Sequence, residues 1–327
     1  MKLGPSRVEV SPLAFGAAAI ANLFTPVDEE EAARAVDTAW AAGVRYFDTA
    51  PHYGLGLSER RLGAALRGRP RAEFTVSTKV GRLLEPLAAP AGDDLANGFA
   101  VPATHRRVWD FSAHGVRRSI EASLERLGLD RIDIVYLHDP DDHVEQALSQ
   151  AYPELERLRA EGVVGAIGVG MNQAAVPARF VRETDIDAVL LAGRYTLLDQ
   201  SGLAELLPLA ARRGVGVVVG GVFNSGLLAD PRPGATFDYT AAPPAVLARA
   251  LKLKAVCERH GVPLRAAALR FPFGHPVVAS VLVGTRSAAE VRDAAAMLRL
   301  ALPAALWDDL VAHNLLDSDV PIPEEAS

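Results

Sequence analysis

The chain lacks several features that would place it in other protein classes. Only one of its 327 residues is cysteine, so no disulfide can form within the chain. Cys257 lies in LKLKAVCERHG, where the spacing of the apolar residues predicts a helix. We expect Cys257 to be a small buried apolar residue of that helix rather than a catalytic thiol. No apolar run reaches the roughly 20 residues of a membrane span, and Pro5 and Pro12 interrupt the amino-terminal segment before it reaches signal-peptide length. We therefore expect a soluble, cytoplasmic protein.

Two nucleotide-binding motifs and a basic surface are also missing. Neither G-x-G-x-x-G nor G-x-x-x-x-G-K-[ST] occurs, which disfavours a doubly wound sheet with a nucleotide on its first turn. The net charge is −6, from 34 basic and 40 acidic residues, and no Lys/Arg-rich run interleaved with aromatic residues stands out. Nucleic acid is therefore not an expected partner. The DPDDH run that begins at Asp139 has no repeated metal-ligand spacing, so no metal site is predicted.

Alternation of strands and helices is the main positive signal. Half of the residues are apolar and 23% are charged, which is typical of a globular protein with a large core. Amphipathic stretches end at Gly43, Gly162, Gly214 and Gly261, where glycine supplies the left-handed conformation after a helix. Apolar runs of strand length are typical of a parallel sheet covered by helices. They are Leu13–Phe15, Tyr46–Asp48, Phe74–Lys79, Ile132–His138, Ala166–Gly170, Ala188–Ala192, Gly216–Gly220 and Ser280–Val283.

Segments with helical periodicity lie between these strands. They are Asp28–Ala42, Ser58–Leu66, Ala113–Leu127, Val144–Glu161, Ala174–Glu183, Leu203–Arg213, Ala245–His260 and Ala288–Leu300. The alternation predicts an α/β fold, a single (β/α)8 TIM-type barrel, with long irregular loops after the third and seventh strands, Gly81–Phe111 and Val222–Pro244. We assign residues 1–316 to this barrel and expect the acidic, proline-containing tail, 317–327, to be loosely ordered.

Four polar residues lie at or just beyond the carboxyl ends of successive predicted strands: Asp48, Tyr53, Lys79 and His138. Each has an ordinary explanation when taken alone: a turn residue, a packing aromatic, a solvated strand end and a hydrogen-bonded core histidine. Four independent ordinary explanations are less plausible than one pocket, because the carboxyl ends of barrel strands converge on one face.

This set of residue types suits hydride transfer. Reduction of a carbonyl by hydride leaves an alkoxide that needs a proton, and the reverse reaction needs a base, so a tyrosine such as Tyr53 can serve both directions. The Lys79 ammonium would favour the phenolate and lower the pKa of Tyr53. Asp48 would hold Lys79 charged and in place, and a neutral His138 would donate a hydrogen bond to the substrate oxygen.

The sequence resembles the aldo-keto reductase family over nearly the whole chain, from the turn at Gly16 through GTRSAAEV. The matching segments are FDTAPHYG, the strand-end lysine of VSTKV, RRSIEASLERLGLDRIDIVYLHDPD and the strand ending in GMNQ. The resemblance implies a nicotinamide cofactor and a catalytic tetrad formed by Asp48, Tyr53, Lys79 and His138.

The resemblance also implies a set of cofactor contacts. They are Gly16, Asn172, Phe223, Gly284, Arg286 and Glu290. Asn172 would hold the nicotinamide carboxamide, although it also suits the N-cap of the following helix. Glu290 stands where relatives that use NADP commonly bring a cationic or amide group to the 2′-phosphate, so NAD is the preferred cofactor. NADP stays open because Arg286, four residues earlier, can reach a 2′-phosphate.

Two positions depart from the family pattern. Ala192 stands three residues before Tyr195, where a glutamine is common, and Gly220 stands where a tyrosine commonly stacks on the nicotinamide. Stacking is then weaker or comes from another residue, for which Phe223 is the candidate. His52, beside Tyr53, and Trp109, in the first long loop, are candidates for the substrate pocket wall, and loop packing explains them equally well.

The substrate is predicted from further strings. GVGMNQ, LLAGRYTLLDQ and GGVFNSGLL resemble the family branch that oxidises aldoses at C1, which includes the L-fucose, L-galactose and D-threo-aldose dehydrogenases. We expect a small-molecule aldose of the L-fucose, L-galactose or D-arabinose type to be oxidised to its lactone. Pyridoxal or a general aldehyde is the alternative substrate, and the oligomeric state stays open.

Three other functions are alternatives to a hydride-transferring enzyme. Lys79 on a barrel strand would suit a Schiff-base aldolase. A glycosidase fits less well, because no second strand-end acid accompanies Asp48 in these motifs. A sensor or ancillary subunit that binds the nucleotide without useful turnover belongs to another class, and the intact tetrad argues against it.

Overall fold

Eight parallel strands close into a barrel in chain order, as the apolar strand-length runs predict. The computed structural model describes residues 1–323. Closure comes from pairing of the first strand with the last, in a register that places Leu13 opposite Val281. The barrel strands are β1 Leu13–Gly16, β2 Tyr46–Asp48, β3 Thr75–Val80, β4 Ile132–His138, β5 Val164–Met171, β6 Ala188–Ala192, β7 Gly216–Gly220 and β8 Val278–Gly284. The predicted fold class is therefore confirmed, with each strand end within two residues of its expected place.

Helices cover the outside of the barrel. They are α1 Glu29–Ala41, α2 Leu57–Leu66, α3 Ala113–Leu127, α4 Tyr152–Ala160, α5 Ala175–Glu183, α6 Leu206–Arg213, α7 Pro244–Arg259, α8 Leu264–Arg270, α9 Ala288–Arg299 and α10 Ala304–Ala312. Asp28 caps α1 by accepting a hydrogen bond from the Glu31 N–H. The four helix-end glycines predicted from the sequence all have positive φ, from 67° to 91°, as a left-handed helix stop requires.

The helical predictions were wrong in three places. The segment predicted as one helix over 144–161 is a single turn, Val144–Gln146, and a π-helical stretch, Ala147–Ala151, before α4. Pro153, in the first turn of α4, has no N–H to continue an α-helical ladder, which accounts for the wider turn before it. Two helices, α8 and α10, were not predicted. α8 is buried along most of its seven residues and so lacks a polar face to give a period.

The first long loop is also more regular than predicted. Within Gly81–Phe111, Arg82–Pro86 pairs antiparallel with His105–Trp109, and a second small hairpin pairs Asp93–Asp94 with Phe99–Pro102. We call this loop, residues 81–111, the insertion. An isolated bridge between Leu23 and Phe99 joins the insertion to the loop after β1. The insertion therefore lies at the mouth of the barrel.

Alternate strand positions divide the core in two. Tyr46, Tyr136, Ala166 and Val218 belong to a cluster that includes Leu3 of the amino-terminal segment, while residues of intervening positions pack with the helices. Since side chains alternate across a strand, residues two positions beyond Tyr46 and Tyr136 also face the barrel interior. Asp48 and His138 occupy those positions.

Two further features concern the chain as a whole. The predicted loose tail, 317–327, lies partly outside the described residues; within the described part, Val320 is buried and the Pro321 carbonyl lies against Gly274. The boundary at 316 stays a prediction. None of the helices in residues 1–323 combines the length and apolar content that crossing a membrane would need.

Candidate active site

The carboxyl ends of β2, β3 and β4 bring three of the four predicted catalytic side chains together, and Tyr53 joins them from the loop after β2. Asp48, Lys79 and His138 are 1%, 2% and 8% exposed, so all three are buried in the mouth of the barrel. Burial of charged groups is costly unless they are paired and hydrogen-bonded, so their partners matter.

Asp48 and Lys79 form a buried ion pair. The Lys79 ammonium donates to Asp48 Oδ2 at 2.7 Å and to the Thr49 carbonyl at 2.9 Å. The other carboxylate oxygen, Asp48 Oδ1, accepts a hydrogen bond from the Ser77 hydroxyl at 2.6 Å. Burial lowers the pKa of Lys79, but Asp48 and Tyr53 outweigh it and raise that pKa above its usual value. Lys79 is therefore a fixed positive charge at neutral pH.

Tyr53 lies beside this charge. The Lys79 nitrogen is 4.7 Å from the centroid of the Tyr53 ring. Burial raises the pKa of the Tyr53 hydroxyl, the Lys79 ammonium lowers it, and Asp48 raises it. The direction expected for the lysine is therefore found, but burial outweighs it, and the pKa of Tyr53 is raised overall.

His138 faces Tyr53 from the end of β4. The two rings meet edge to face with centroids 6.0 Å apart. Burial, together with the positive charges of Arg82 and Lys79, holds the pKa of His138 well below its usual value. A neutral imidazole next to the tyrosine can donate one hydrogen bond without adding a charge to the site.

The two residues predicted for the pocket wall lie on the same side of the mouth. His52 meets Phe99 of the insertion edge to face, with centroids 5.5 Å apart. Trp109 is 44% exposed, stacks on Phe111, and carries the Arg82 guanidinium over its ring at 4.3 Å. His52 therefore lies within the polar cluster, whereas Trp109 lies at its rim.

The opposite side of the mouth is built from bare backbone. Gly16 and Gly284 are register partners at the ends of β1 and β8, and a Cβ on Gly284 would meet nothing within 4 Å. Gly220 ends β7. Nearby, the buried atoms Thr285 Oγ1 and Asn224 Oδ1 have no hydrogen-bond partner among the described residues. An open backbone rim with unpaired buried polar atoms suits an extended nucleotide, so the residues present fit the implied cofactor.

Asn172 follows β5 and Phe223 follows β7, and the two side chains differ in burial. Asn172 is exposed, and its side chain makes no hydrogen bond within residues 1–323. The N-cap role considered for it is wrong: α5 begins after Ala174, and Gln173 supplies the acceptor for the Val176 N–H at 3.0 Å. The Asn172 amide is thus left free for a ligand. Phe223 is partly buried against the main core.

Arg286 and Glu290 form a local pair at the start of α9. The Glu290 carboxylate accepts a hydrogen bond from the Arg286 backbone N–H at 2.8 Å, and its other oxygen lies 3.7 Å from the Arg286 guanidinium. The guanidinium also donates to the Thr25 hydroxyl at 2.7 Å. Ser287 caps the helix. Opposite charges therefore lie together where the resemblance places the adenosine end of the cofactor.

Five polar residues of the site were not predicted. Ser77 binds Asp48, as above; Arg82 pairs with Asp139, which directly follows His138; and Arg107 pairs with Asp94. For Asp139, the sequence carries a signal in its place directly after the strand-end histidine. The others belong mainly to the insertion, whose hairpin pairing the sequence did not reveal. Within residues 1–323, no group of three or more His, Cys, Asp or Glu side chains is placed to hold a metal ion.

The barrel is shared with a known class of enzyme. The model of the aldo/keto reductase family matches residues 12–315, and the chain belongs to this family. It is therefore an oxidoreductase that uses a nicotinamide cofactor.

Particular relatives narrow the comparison. The chain is 48% identical over 312 residues to a D-threo-aldose 1-dehydrogenase of a Pseudomonas species, which covers 94% of this chain and 95% of that protein. It is 39% identical over 332 residues to a pyridoxal 4-dehydrogenase of Microbacterium luteolum, and the match covers 96% of this chain and 97% of that protein. Among solved structures, an aldo-keto reductase of Bacillus halodurans in its holo form superposes with a TM-score of 0.76 at 27% identity, covering 98% and 97%.

Proposed function

We propose that this protein oxidises a small aldose at C1 to the corresponding lactone, with Tyr53 as the general base. The observation that carries the proposal is the buried contact of Lys79 with Asp48 beside Tyr53, opposite a neutral His138. The 48% identity to a D-threo-aldose 1-dehydrogenase supports an aldose as the substrate.

Each side chain has a separate task in this reaction. The C1 hydroxyl gives its proton to Tyr53 as the C1 hydrogen leaves as hydride, and the C1–O bond becomes the carbonyl of the lactone. The bound nicotinamide supplies the hydride acceptor. Lys79 stabilises the tyrosinate that must form first, since burial alone disfavours it. His138, which carries no charge, donates to the reacting oxygen and orients it.

Glycine ends on β1, β7 and β8 would receive the cofactor. Gly16 and Gly284 would lie against it, and Asn172 would hold the nicotinamide carboxamide. Phe223 would support the nicotinamide ring, because Gly220 stands where a tyrosine commonly does so. We propose NAD as the preferred cofactor because the Glu290 carboxylate would repel a 2′-phosphate. NADP remains the competing cofactor, since Arg286 lies 3.7 Å from the same carboxylate.

We expect L-fucose, L-galactose or D-arabinose as the substrate type. His52 and Trp109 would line the pocket from the insertion side. Pyridoxal is the second candidate substrate, because a pyridoxal 4-dehydrogenase is 39% identical to this chain over nearly its full length.

A substrate panel tests the proposal directly. The three sugars and pyridoxal are each supplied with NAD and with NADP, reduced cofactor is followed by absorbance, and the lactone is detected by mass spectrometry. Tyr53→Phe serves as the matched control, because it removes one oxygen and keeps the ring. Turnover of pyridoxal or simple aldehydes with no sugar oxidation would reject the aldose assignment.

A further inference from the structure

One guanidinium joins the insertion to the loop that carries Tyr53. Arg107 Nε donates to His52 Nδ1 at 2.5 Å, and Arg107 Nη2 donates to the His52 carbonyl oxygen at 2.9 Å. On the other edge of the guanidinium, Nη1 donates to Asp94 Oδ1 at 2.7 Å and Nη2 donates to Asp94 Oδ2 at 2.5 Å. Asn97 donates to Asp94 Oδ1 as well, at 2.8 Å. Arg107 is thus held at both ends and cannot turn away without losing several bonds.

This arrangement determines where the His52 proton lies. A guanidinium nitrogen can only donate, so His52 Nδ1 must be an acceptor and carries no proton. Burial and the charges of Arg82 and Arg107 lower the pKa of His52 to about 3, so the ring is neutral at physiological pH. A neutral imidazole without a proton on Nδ1 carries it on Nε2. His52 is then a donor at its far edge only.

The His52 ring lies among the residues that would hold the reacting oxygen. The His52 ring centroid is 6.0 Å from that of Tyr53 and 5.9 Å from that of His138. The Nε2–H makes no hydrogen bond to any residue that the structure describes, and Nε2 is not among the fully buried unpaired atoms. A donor that is fixed, neutral and accessible beside the catalytic pair is suited to an oxygen one carbon away from the reacting carbon.

We propose that Asp94 and Arg107 lock His52 as the Nε2–H tautomer, and that this N–H binds the hydroxyl on the carbon adjacent to the one oxidised or reduced. His52 is then a specificity residue, and Arg107 and Asp94 are positioning residues that act through it. The substrate class is a 2-hydroxy aldehyde or an aldose, rather than a plain aldehyde. The tautomer is independent of the proposed sugar oxidation, whereas the contact with the hydroxyl rests on the proposed function.

Nitrogen NMR of the uniformly 15N-labelled protein tests the tautomer without substrate. The His52 signals are identified by their loss in His52→Gln, and one-bond and two-bond couplings show which nitrogen carries the proton. We expect Nε2–H with no change between pH 5 and 8, given the low pKa of His52. In Asp94→Asn/Arg107→Met, which removes both charges of the buried pair together, we expect the Nδ1–H form to become populated. An Nδ1–H signal in the unsubstituted protein would overturn the lock.

Kinetics test the hydroxyl contact. Two pairs of compounds differ only by the adjacent hydroxyl: L-fucose with 2-deoxy-L-fucose for oxidation, and 2-hydroxypropanal with propanal for reduction. We expect His52→Phe to lower the ratio of kcat/KM for the hydroxylated over the plain member of each pair by about tenfold, as loss of one neutral hydrogen bond implies. His52→Gln, which keeps an N–H donor, should restore part of the preference.

His105→Gln is the matched control, since His105 lies on the same hairpin as Arg107 and its ring bonds only to the Thr104 hydroxyl among the described residues. It should keep the full preference. An equal loss of kcat/KM for both members of a pair in His52→Phe would mean a structural role and would overturn the contact. Failure of the unsubstituted enzyme to turn over either pair would overturn it as well. Failure of the sugar pair alone, with the preference intact for 2-hydroxypropanal, would count against the proposed aldose oxidation and leave the contact standing.

Discussion

The two sides of the barrel mouth are built in opposite ways. On the side of β2 to β4, the buried charged groups are paired: Lys79 with Asp48, Arg82 with Asp139, and Arg107 with Asp94. On the side of β1, β7 and β8, the strands end in glycine, and Thr285 Oγ1 has no partner among residues 1–323. The charges of the first side are held by one another, whereas the second side offers backbone to a ligand.

This difference indicates a division of labour. Catalytic groups must be held before the substrate arrives, because reorganisation during the reaction raises the barrier. A cofactor that covers a wide surface needs close approach to the backbone, and a side chain at those positions would prevent it. Changes on the paired side should therefore affect turnover, and changes on the glycine side should affect nucleotide affinity.

The largest effect is expected for Tyr53→Phe. The variant should lower kcat by about 10²- to 10⁴-fold, because it removes the group that takes up or gives the proton. The dissociation constant of the reduced nucleotide, measured by fluorescence titration, should hardly change, since the hydroxyl is needed only as hydride moves. Near-normal kcat with a validated substrate would remove Tyr53 from this role.

A shift in pH dependence is expected for Lys79. Oxidation requires the tyrosinate, and the pKa of Tyr53 is already raised by burial, so the rate should increase toward alkaline pH. Removal of the ammonium raises that pKa further, and removal of Asp48 with it offsets part of the rise, so the alkaline limb should move to higher pH by about 1 unit and kcat should fall. The measurement is the pH profile of kcat for Asp48→Asn/Lys79→Met, which avoids leaving a lone buried carboxylate. An unshifted profile would show that Lys79 does not tune the tyrosine.

A smaller effect on turnover is expected for Ser77, which contacts Asp48 rather than Tyr53 or Lys79. Ser77→Ala removes the hydrogen bond to Asp48 Oδ1 and its contact with the Tyr46 hydroxyl at 3.1 Å. We expect a loss of about 1.5 to 3 kcal/mol in the free energy of unfolding, since the acceptor is charged, and about a tenfold lower kcat. Ser119→Ala is a matched control, because the Ser119 hydroxyl is buried without a hydrogen-bond partner among residues 1–323. Equal behaviour of the two variants would contradict the positioning of Asp48 by Ser77.

The sequence predicted strands and catalytic residues where a short apolar run ends in a polar residue. Buried strands are short apolar runs, and Asp48, Lys79 and His138 stand out because polar residues at the ends of such runs are unusual. The pairing of Arg107 with His52 was not visible, because it depends on the register of a hairpin within the loop 81–111, where charged residues are frequent. α8 was missed for the opposite reason: its buried alanines and leucines have no polar alternation. Contacts between loops therefore had to come from the structure.

The glycine side is tested by Gly284→Val. A Cβ at Gly284 meets nothing within 4 Å, so the fold should tolerate the change and the thermal unfolding midpoint should stay close to that of the unsubstituted protein. If the nucleotide lies on this rim, the added side chain should weaken its binding by about tenfold, in the range of overpacking costs. kcat at saturating cofactor should change less than affinity. Unchanged nucleotide affinity would place the cofactor elsewhere.

The smallest effect concerns the choice of nucleotide at α9. The Glu290 carboxylate is 48% exposed and partly offset by Arg286, so its repulsion of a 2′-phosphate is weakened by solvent and by its partner. We expect Glu290→Gln to shift the ratio of kcat/KM for NAD over NADP toward NADP by about fivefold, which corresponds to the ~1 kcal/mol of two screened charges about 4 Å apart. Asp293→Asn removes a carboxylate from the same helix, one bonded to Arg265, and should leave the ratio unchanged. If both variants shift the ratio equally, the effect is one of overall helix charge. If the unsubstituted enzyme already prefers NADP, Arg286 outweighs Glu290, and Arg286→Gln should then reduce the use of NADP.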